Sequence, residues 1–174
     1  MIIKSKKIKS LIFVNNKSFK DKRGYFKELL KEKDFKKKFP FLVMSFSKKN
    51  VIRGLHLQTK NSQGKFISVI KGKIFDVVVD LRKNSKTFGN HFKIILSEKK
   101  ARYLFVPKGF AHGFLGLEKE NIVLYSCSNY RYSNYERSIR WNDKDLDINW
   151  GIKKPIISKR DSRASTLKEY IKNK

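Results

Sequence analysis

The stretch Lys65-Phe-Ile-Ser-Val-Ile-Lys-Gly-Lys-Ile-Phe-Asp-Val-Val-Val-Asp80 decides the fold class of this chain. Apolar residues alternate along 66–70, and the run 73–80 is rich in β-branched residues, so each run predicts a β-strand. Gly72 lies between the two runs, where a turn residue is needed. The stretch therefore predicts two strands of a sheet joined by a tight turn.

Similar short apolar runs, separated by turn residues, continue on both sides of this stretch, and they include 8–14, 41–47, 92–97, 102–106 and 122–128. This spacing is typical of an antiparallel sandwich or barrel. A lysine-rich segment at 29–39, ended by Pro40, predicts a surface helix, and Ser165–Ile171 predicts a terminal helix within a short helical tail at about 162–174. With 174 residues, the chain is expected to form one domain over 1–174.

The formal net charge of +27 raises the question of nucleic-acid binding. Lysines are scattered through every segment, including the apparent loop Lys83–Lys86, and they outnumber arginines. No localised basic stripe is present in the sequence. We therefore expect no nucleic-acid partner, and we expect the positive field to favour small anionic substrates.

Cys127 is the only cysteine, so no disulfide can form within the chain and a cysteine-rich zinc site is excluded. The segment Met1-Ile-Ile-Lys-Ser-Lys-Lys7 has no apolar run after its positive charges, and no stretch has eighteen consecutive apolar residues. These features predict a cytoplasmic protein that does not enter a membrane.

The stretch Arg53-Gly-Leu-His56 precedes Gln63-Gly-Lys65 by only a few residues, so a titratable base and a cation lie close together in the sequence. The apolar residues on both sides indicate that His56 and Lys65 lie at or near strands. An isolated histidine in a strand is more often a structural residue than a catalyst, and the assignment of chemistry requires further residues.

Pro107-Lys-Gly109-Phe-Ala-His112 has the Pro-x-Gly-x-x-His spacing of the second cupin motif. Metal-binding cupins also have a first motif with His-x-His and a glutamate, whereas here Gln58 follows His56 and no acidic residue occurs between 54 and 72. His91 has no supporting ligands nearby in the sequence. We therefore predict no metal and no cofactor. Without a metal, His112 has two possible roles: it supports the core, or it contacts a ligand.

Over about residues 10–168 the sequence resembles the dTDP-4-dehydrorhamnose 3,5-epimerase family, because seven of its motifs occur in the same order along the chain. They are Arg23-Gly-x-Phe26-x-Glu28, Arg53-Gly-Leu-His56, Gln63-Gly-Lys65, Phe75-Asp-Val-x-Val-Asp80, Pro107-x-Gly-Phe-Ala-His112-Gly-Phe, Ile139-Arg-Trp-Asn-Asp143 and Ser158-x-x-Asp161. The resemblance implies an all-β cupin jelly roll with a few short peripheral helices. It also implies a homodimer that exchanges N-terminal strands, and epimerisation of a 4-keto nucleotide sugar destined for a surface polysaccharide.

By the same resemblance, His56 is the base, Asp161 the second member of a His-Asp dyad, Lys65 the cation that stabilises an enolate, and Tyr125 the acid on the opposite face. These residue types suit the reaction, because a C4 ketone acidifies the hydrogens on C3 and C5. The substrate-binding residues implied by the resemblance are Arg23, Phe26, Glu28, Arg53, His112, Arg131, Glu136 and Arg160. The first three are implied to reach the nucleotide across the dimer interface.

The sequence departs from the family pattern at two places. Val43-Met-Ser45 replaces a Gln-x-Asn motif, and Arg131 occupies the position of a tyrosine that stacks on thymine. A guanine-linked substrate such as a GDP-linked 4-keto heptose is therefore an alternative to a dTDP-linked sugar. A 3,4-ketoisomerase of the same fold and a non-catalytic sugar-binding cupin are also compatible with the sequence.

Overall fold

The computed structural model describes residues 2–4, 8 and 10–173. The strands within these residues are β1 (Ile2–Lys4), β2 (Ile12–Asn15), β3 (Ser18–Asp21), β4 (Gly24–Lys27), β5 (Phe41–Lys48), β6 (Ile52–Gln58), β7 (Lys65–Lys71), β8 (Lys73–Asp80), β9 (His91–Ser97), β10 (Arg102–Val106), β11 (Phe110–Gly116), β12 (Glu120–Cys127) and β13 (Glu136–Ser138). The α-helices are α1 (Lys159–Ser162) and α2 (Leu167–Lys172). Neither helix is long enough to cross a membrane.

The strands form two large antiparallel sheets, which confirms the all-β prediction. One sheet has the order β1-β2-β10-β7-β12-β5, and the other has the order β13-β6-β11-β8-β9. Strands β3 and β4 form a separate hairpin. The turn predicted at Gly72 joins β7 to β8, but these strands belong to different sheets, so the turn carries the chain from one sheet to the other.

The core between the sheets is built from alternate residues of the strands. Ile67 and Val123 of the six-stranded sheet belong to the same buried cluster as Val78 and Phe114 of the five-stranded sheet. Since successive side chains of a strand point to opposite faces, the neighbouring residues of these strands cover the outer faces. This arrangement places the inward-facing polar residues between the two sheets.

Segments that lie outside the sheets cover part of each outer face. Trp150, Leu167 and Tyr170 pack on the outer face of the five-stranded sheet in one buried cluster. Phe35 packs on the six-stranded sheet, where its ring centroid lies 5.5 Å from that of Phe66 and 5.1 Å from that of Phe105. The C-terminal segment is therefore fixed against the sheet that carries His56.

Three local predictions are wrong or incomplete. The predicted helix at 29–39 contains only a 3-10 turn at Glu32–Asp34, because its phenylalanines pack on the sheet and the segment has no helical apolar stripe. The strand predicted at 8–14 begins only at Ile12 in the structure. Lys9, which belongs to the predicted range, lies outside the described residues. The terminal helix begins at Leu167 after the capping residue Thr166, which also accepts a hydrogen bond from the Glu169 N–H.

The fold predicts that Asp143 contributes strongly to stability. Its buried carboxylate accepts hydrogen bonds from the backbone N–H groups of Asp145 and Leu146 at 3.0 and 3.1 Å and of Leu167 at 2.8 Å. Asp143→Ala leaves these donors without the carboxylate, so we expect the free energy of unfolding in urea to fall by about 2–4 kcal/mol.

Asp145→Ala is the matched control, because Asp145 is two residues away and only pairs with Lys168 at the surface, at 3.3 Å. An exposed pair contributes little, so this variant should lose less than about 1 kcal/mol. Equal losses in the two variants would contradict the role given to Asp143.

Candidate active site

A cavity of about 200 Å³ lies between the two sheets. The five-stranded sheet supplies His56 and His112, and the six-stranded sheet supplies Lys65 and Tyr125. Of the predicted site residues, those that line this cavity are Arg53, His56, Lys65, His112, Tyr125, Arg131 and Glu136. Residues distant in the sequence are thus brought to one place by the sheet pairing.

Arg53 and His56 both face the cavity although they are three residues apart on β6. Regular alternation would send them to opposite faces. The pairing of β6 with β11 shifts register beside Gly54, which has a φ of +129°. A Cβ on Gly54 would lie 2.5 Å from the Cα of Gly113, so only glycine permits this close approach of the strands. The irregularity therefore aims both side chains at one cavity.

His56 and Asp161 form the predicted pair. His56 Nε2 lies 2.6 Å from Asp161 Oδ1, and the Asp161 side chain is 4% exposed whereas that of His56 is 33% exposed. Burial alone would raise the pKa of Asp161, but hydrogen bonds from His56, the Gly54 N–H and Ser158 hold it below its usual value. Asp161 is therefore an ionised carboxylate that fixes one imidazole nitrogen while the ring remains accessible from the cavity.

His112 belongs to a second histidine–aspartate pair. Its Nε2 lies 2.8 Å from Asp76 Oδ2, with both side chains almost fully buried. On the paired strands His112 lies directly opposite His56. Both expected roles are thus compatible with its position, because His112 is a buried, hydrogen-bonded residue that also lines the cavity.

Lys65 brings a cation into the cavity. Burial lowers the pKa of Lys65, while the nearby Cys127, Glu136 and Asp76 act in the opposite direction. Within residues 10–173 no hydrogen bond or ion pair engages its ammonium group. A cation held without a hydrogen-bonded anion is available to a negative charge that develops on a bound ligand.

Tyr125 faces the cavity from the six-stranded sheet. Burial raises the pKa of Tyr125 well above its usual range, although Ser45 and Arg53 lower it in part. The Tyr125 hydroxyl oxygen lies 3.4 Å from Ser45 Oγ, and its ring centroid lies 6.0 Å from that of His112. Tyr125 is therefore a neutral phenol at neutral pH and a potential proton donor.

Glu136 joins two arginines at the rim of the cavity. Arg131 donates to its carboxylate from Nε at 2.7 Å and from Nη2 at 3.1 Å, and Arg160 donates from Nη1 at 2.7 Å. These hydrogen bonds, with that from Arg131 the strongest, lower the pKa of Glu136 to about 2 against the opposing effect of burial. Two cations share one anion, so the rim keeps a net positive charge.

Arg53 lies at the same rim and is held by two residues of β5, a strand of the opposite sheet. Its Nε donates to Ser47 Oγ and its Nη2 donates to the Phe46 carbonyl, both at 2.8 Å. Both acceptors are neutral, so Arg53 adds a further positive charge to the rim.

Arg23, Phe26 and Glu28 do not line the cavity. Arg23 pairs with Asp21 at the tip of the β3–β4 hairpin, where its side chain is 85% exposed. Phe26 is 67% exposed, and Glu28 follows β4 and pairs with Lys31 at 2.8 Å. The hairpin therefore presents Arg23 and Phe26 to the outside of the chain, and the half-buried Glu28 lies just beyond it.

Asp76 and Ser45 are polar residues of the site that the sequence did not identify as functional. Asp76 lies in a run of valines, where a buried acidic residue needs a partner, and this signal was available in the sequence. Ser45 gave no such signal, since its contact with Tyr125 depends on how β5 and β12 pair. The described residues contain no cluster of three or more histidine, cysteine, aspartate or glutamate side chains placed to hold a metal, and His91 does not line the cavity.

The depressed pKa of Glu136 predicts a pH-dependent contribution to stability. Its carboxyl pKa falls from about 4.5 to about 2 on folding, so its contribution is complete above about pH 5 and is lost as the pH falls toward 2. Glu136→Gln should lower the free energy of unfolding by about 1–2 kcal/mol at pH 7, after allowance for solvent screening. The difference from wild type should shrink between pH 5 and pH 3 in urea titrations.

Glu118→Gln serves as the control, because Glu118 is exposed and pairs with the single cation Lys73 at 3.0 Å. Its effect should be small at every pH. A Glu136→Gln difference that stays constant from pH 7 to pH 3 would contradict the assignment.

Comparison with known proteins identifies the family. The family model described as dTDP-4-dehydrorhamnose 3,5-epimerase matches residues 5–169. The dTDP-4-dehydrorhamnose 3,5-epimerase of Methanothermobacter thermautotrophicus is 41% identical, and the match covers 91% of this chain and 90% of that protein.

Solved structures similar to this chain belong to the same family. A dTDP-6-deoxy-D-glucose-3,5-epimerase from Legionella pneumophila, in complex with dTDP-4-keto-L-rhamnose, has a TM-score of 0.92 and 36% identity, and the match covers 97% of this chain and 93% of that one. A dTDP-4-dehydrorhamnose 3,5-epimerase from Bacillus anthracis, with TDP and PPi bound, has a TM-score of 0.91 and 37% identity over 96% and 99% of the two chains. These likenesses confirm the predicted cupin jelly roll, and the chain belongs to the dTDP-4-dehydrorhamnose 3,5-epimerase family of isomerases.

Proposed function

We propose that this chain inverts C3 and C5 of a dTDP-linked 4-keto-6-deoxy sugar through an enolate, as a step in the synthesis of a surface polysaccharide. The observation that carries the proposal is the placement of His56, bonded to the buried Asp161, and of Tyr125 on facing sheets around one cavity that also contains Lys65. The relative that binds dTDP-4-keto-L-rhamnose supports the substrate class.

Proton removal falls to His56. One imidazole nitrogen is held by Asp161 at 2.6 Å, so the other is free to take a proton from the carbon beside the ketone. The ionised carboxylate stabilises the imidazolium that forms, and it fixes the ring so that the free nitrogen points in one direction. A positioned base of this kind contributes on the order of a hundredfold to ten-thousandfold to the rate.

Lys65 stabilises the enolate. As the proton leaves, negative charge moves to the C4 oxygen, and the ammonium group has no hydrogen bond within residues 10–173 that must first be broken. A preorganised charge in a partly buried cavity is worth more than the same charge in solvent. Lys65 thus lowers the barrier for each of the two proton removals.

Tyr125 returns a proton from the other side. A base and an acid on facing sheets approach a sugar ring from two faces, so removal on one face and addition on the other inverts the carbon. The elevated pKa of Tyr125 keeps the phenol protonated before the reaction. Tyr130 and Tyr132 are 54% and 40% exposed and do not line the cavity, which favours Tyr125 as the acid.

The basic rim binds the diphosphate group of the nucleotide sugar. Arg53, Arg131 and Arg160 lie around or beside the cavity, and planar guanidinium groups suit paired phosphate oxygens. Glu136 accepts two of the hydrogen bonds that Arg131 can donate. Arg131 therefore has fewer donors left for hydrogen bonds to a purine base than its position in the sequence suggested. Together with the TDP complex of the Bacillus anthracis relative, this favours a thymine-linked substrate over a GDP-linked heptose.

We also propose that the working form is a homodimer in which each single-domain chain lends its β3–β4 hairpin to the site of the other. The cavity of about 200 Å³ is smaller than the roughly 300 Å³ or more that sites for drug-sized ligands require. The hairpin exposes Phe19, Tyr25 and Phe26, each more than half exposed, and an aromatic surface of this kind favours burial against a partner. Arg23 and Phe26 would then complete the nucleotide site.

The base assignment predicts a specific loss. In D₂O, wild type should introduce deuterium at C3 and C5 of a dTDP-linked 4-keto-6-deoxy sugar and invert both centres. His56→Ala should slow this exchange by at least about a hundredfold, because it removes the general base. Nuclear magnetic resonance of the sugar measures exchange and configuration together.

The control for this experiment is His91→Ala, which removes a histidine of β9 that lies outside the cavity. This variant should retain wild-type exchange. Retention of more than about a tenth of the rate in His56→Ala would refute the base assignment. A carbonyl that moves to C3 would instead indicate a ketoisomerase, and binding without exchange in wild type would indicate a sugar-binding protein.

The dimer proposal predicts complementation between two defective chains. His56→Ala lacks the base, and Arg23→Ala/Phe26→Ala lacks the hairpin contacts, so each homodimer should be inactive or weak at low substrate concentration. In a mixed dimer one site combines the intact His56 of one chain with the intact hairpin of the other. Random pairing should restore about a quarter of the wild-type activity, because about half of the dimers are mixed and each has one intact site.

The two variants must be refolded together so that mixed dimers can form. A sample in which the two variants are folded separately and then mixed serves as the control. If the hairpin acts on the site of its own chain, no intact site forms and no activity returns. That result would overturn the exchange of hairpins between subunits without affecting the assignment of His56.

A further inference from the structure

Ser45 lies beside the hydroxyl group of Tyr125. Strands β5 and β12 pair antiparallel, with Tyr125 opposite Val43 and Val123 opposite Ser45, so Ser45 is the diagonal neighbour of Tyr125 on the cavity face. The two hydroxyl oxygens are 3.4 Å apart. Among the side chains of residues 10–173, Ser45 makes the hydrogen-bond contact to this phenol.

The separation of 3.4 Å is long for two neutral hydroxyl groups, which usually approach to about 2.7–2.8 Å. Donation of the phenolic proton to carbon leaves a phenolate, and a hydroxyl donor approaches such an anion to about 2.5–2.7 Å. A short movement of either side chain therefore turns a weak contact into a charge-assisted hydrogen bond. Catalytic hydrogen bonds are often long before substrate binds and shorten during the reaction.

Without a donor, a phenolate in this cavity is unfavourable. Burial raises the pKa of Tyr125 strongly, and the contact with Ser45 opposes that effect. An interaction that strengthens only as the proton is transferred stabilises the transition state more than the ground state, so it increases the rate of the chemical step. The hydroxyl of a serine can donate in this way, whereas an alanine or a valine cannot.

We propose that Ser45 is a positioning residue for proton return, with its hydroxyl group donating to the Tyr125 phenolate that forms as the enolate carbon is protonated. The bond from the phenolic oxygen to hydrogen breaks, the new carbon–hydrogen bond forms with the enolate electron pair, and the negative charge passes to the phenolic oxygen beside Ser45. His56 and Lys65 carry out proton removal without Ser45. The inference rests on the proposed function.

The experiment measures exchange and inversion separately in D₂O. Ser45→Ala should slow inversion by about tenfold to a hundredfold, the usual loss for one hydrogen bond to a charged group, while deuterium exchange into the starting configuration stays within about threefold of wild type. The imidazolium of His56 exchanges the removed proton with D₂O, and the enolate then takes a deuteron mainly from this group on the original face. Ser45→Thr, which keeps the hydroxyl, should restore inversion to within about threefold.

Tyr125→Phe supplies the reference for a double-mutant cycle. If Ser45 acts through Tyr125, Ser45→Ala adds no further loss of inversion once the phenol is gone, so the double variant should match Tyr125→Phe. Ser68→Ala is the matched control, because Ser68 is a buried serine of β7 that does not line the cavity. It should leave both rates unchanged, and thermal unfolding confirms that every variant is folded.

Two sets of results overturn the inference alone. In the first, wild type epimerises its substrate and Ser45→Ala leaves inversion unchanged or slows exchange and inversion equally. In the second, the losses of Ser45→Ala and Tyr125→Phe add in full. A wild-type chain that neither exchanges nor inverts the substrate overturns the proposed function, and the inference with it.

Discussion

The hydrogen bond between His56 and Asp161 connects the chemistry of the site to the rest of the fold. Asp161 lies in a short helix of the C-terminal segment, 105 residues after His56, so the pair forms only when that segment is packed against the five-stranded sheet. Trp150, Leu167 and Tyr170 provide that packing. The buried carboxylate is stable because it accepts several hydrogen bonds at once. Correct packing of the outer face is thus a condition for the orientation of the His56 imidazole, to which we assign the role of base.

Buried aspartates have an organising role throughout this very basic chain. There are 42 lysines and arginines against 15 acidic residues, yet Asp76, Asp80, Asp143 and Asp161 are each no more than 5% exposed. Each has at least one hydrogen-bond partner, although the buried Oδ1 of Asp76 has none within the described residues. For Asp80, burial raises the pKa, but Arg82, Ser85 and Thr87 together lower it to about 2. These four aspartates are therefore placed where a buried carboxyl group orders a loop, a terminus or a histidine.

Much of the fold was predictable because short runs rich in apolar and β-branched residues, separated by turn residues, specify strands, as in β7, β8 and β10. The lysine-rich segment at 29–39 led to a wrong helix prediction, since Phe35 and Phe39 pack with each other and on the six-stranded sheet while the segment forms no helix beyond the 3-10 turn. For the site, motif resemblance proposed His56, Lys65, Tyr125 and Asp161, and the structure brings the first three together around one cavity with Asp161 bonded to His56. The contact of Ser45 could not be predicted, because cross-strand neighbours depend on a register that a single sequence does not show.

Under the proposed function, the distribution of charge around the cavity allows one site to hold a highly charged substrate and still form an enolate. The positive charges of Arg53, Arg131 and Arg160 lie at or beside the rim, where solvent moderates their strength and Glu136 neutralises part of it. Lys65 is the cation farther inside, and its pKa is lowered by burial, so it gains most from an anion that forms next to it. In the proposed reaction, charges at the rim attract and hold the diphosphate in the ground state, whereas the inner charge acts on an oxygen that becomes negative only during the reaction. Since only the second kind of interaction accelerates the chemical step, the proposal assigns binding to the arginines of the rim and catalysis to the lysine of the interior.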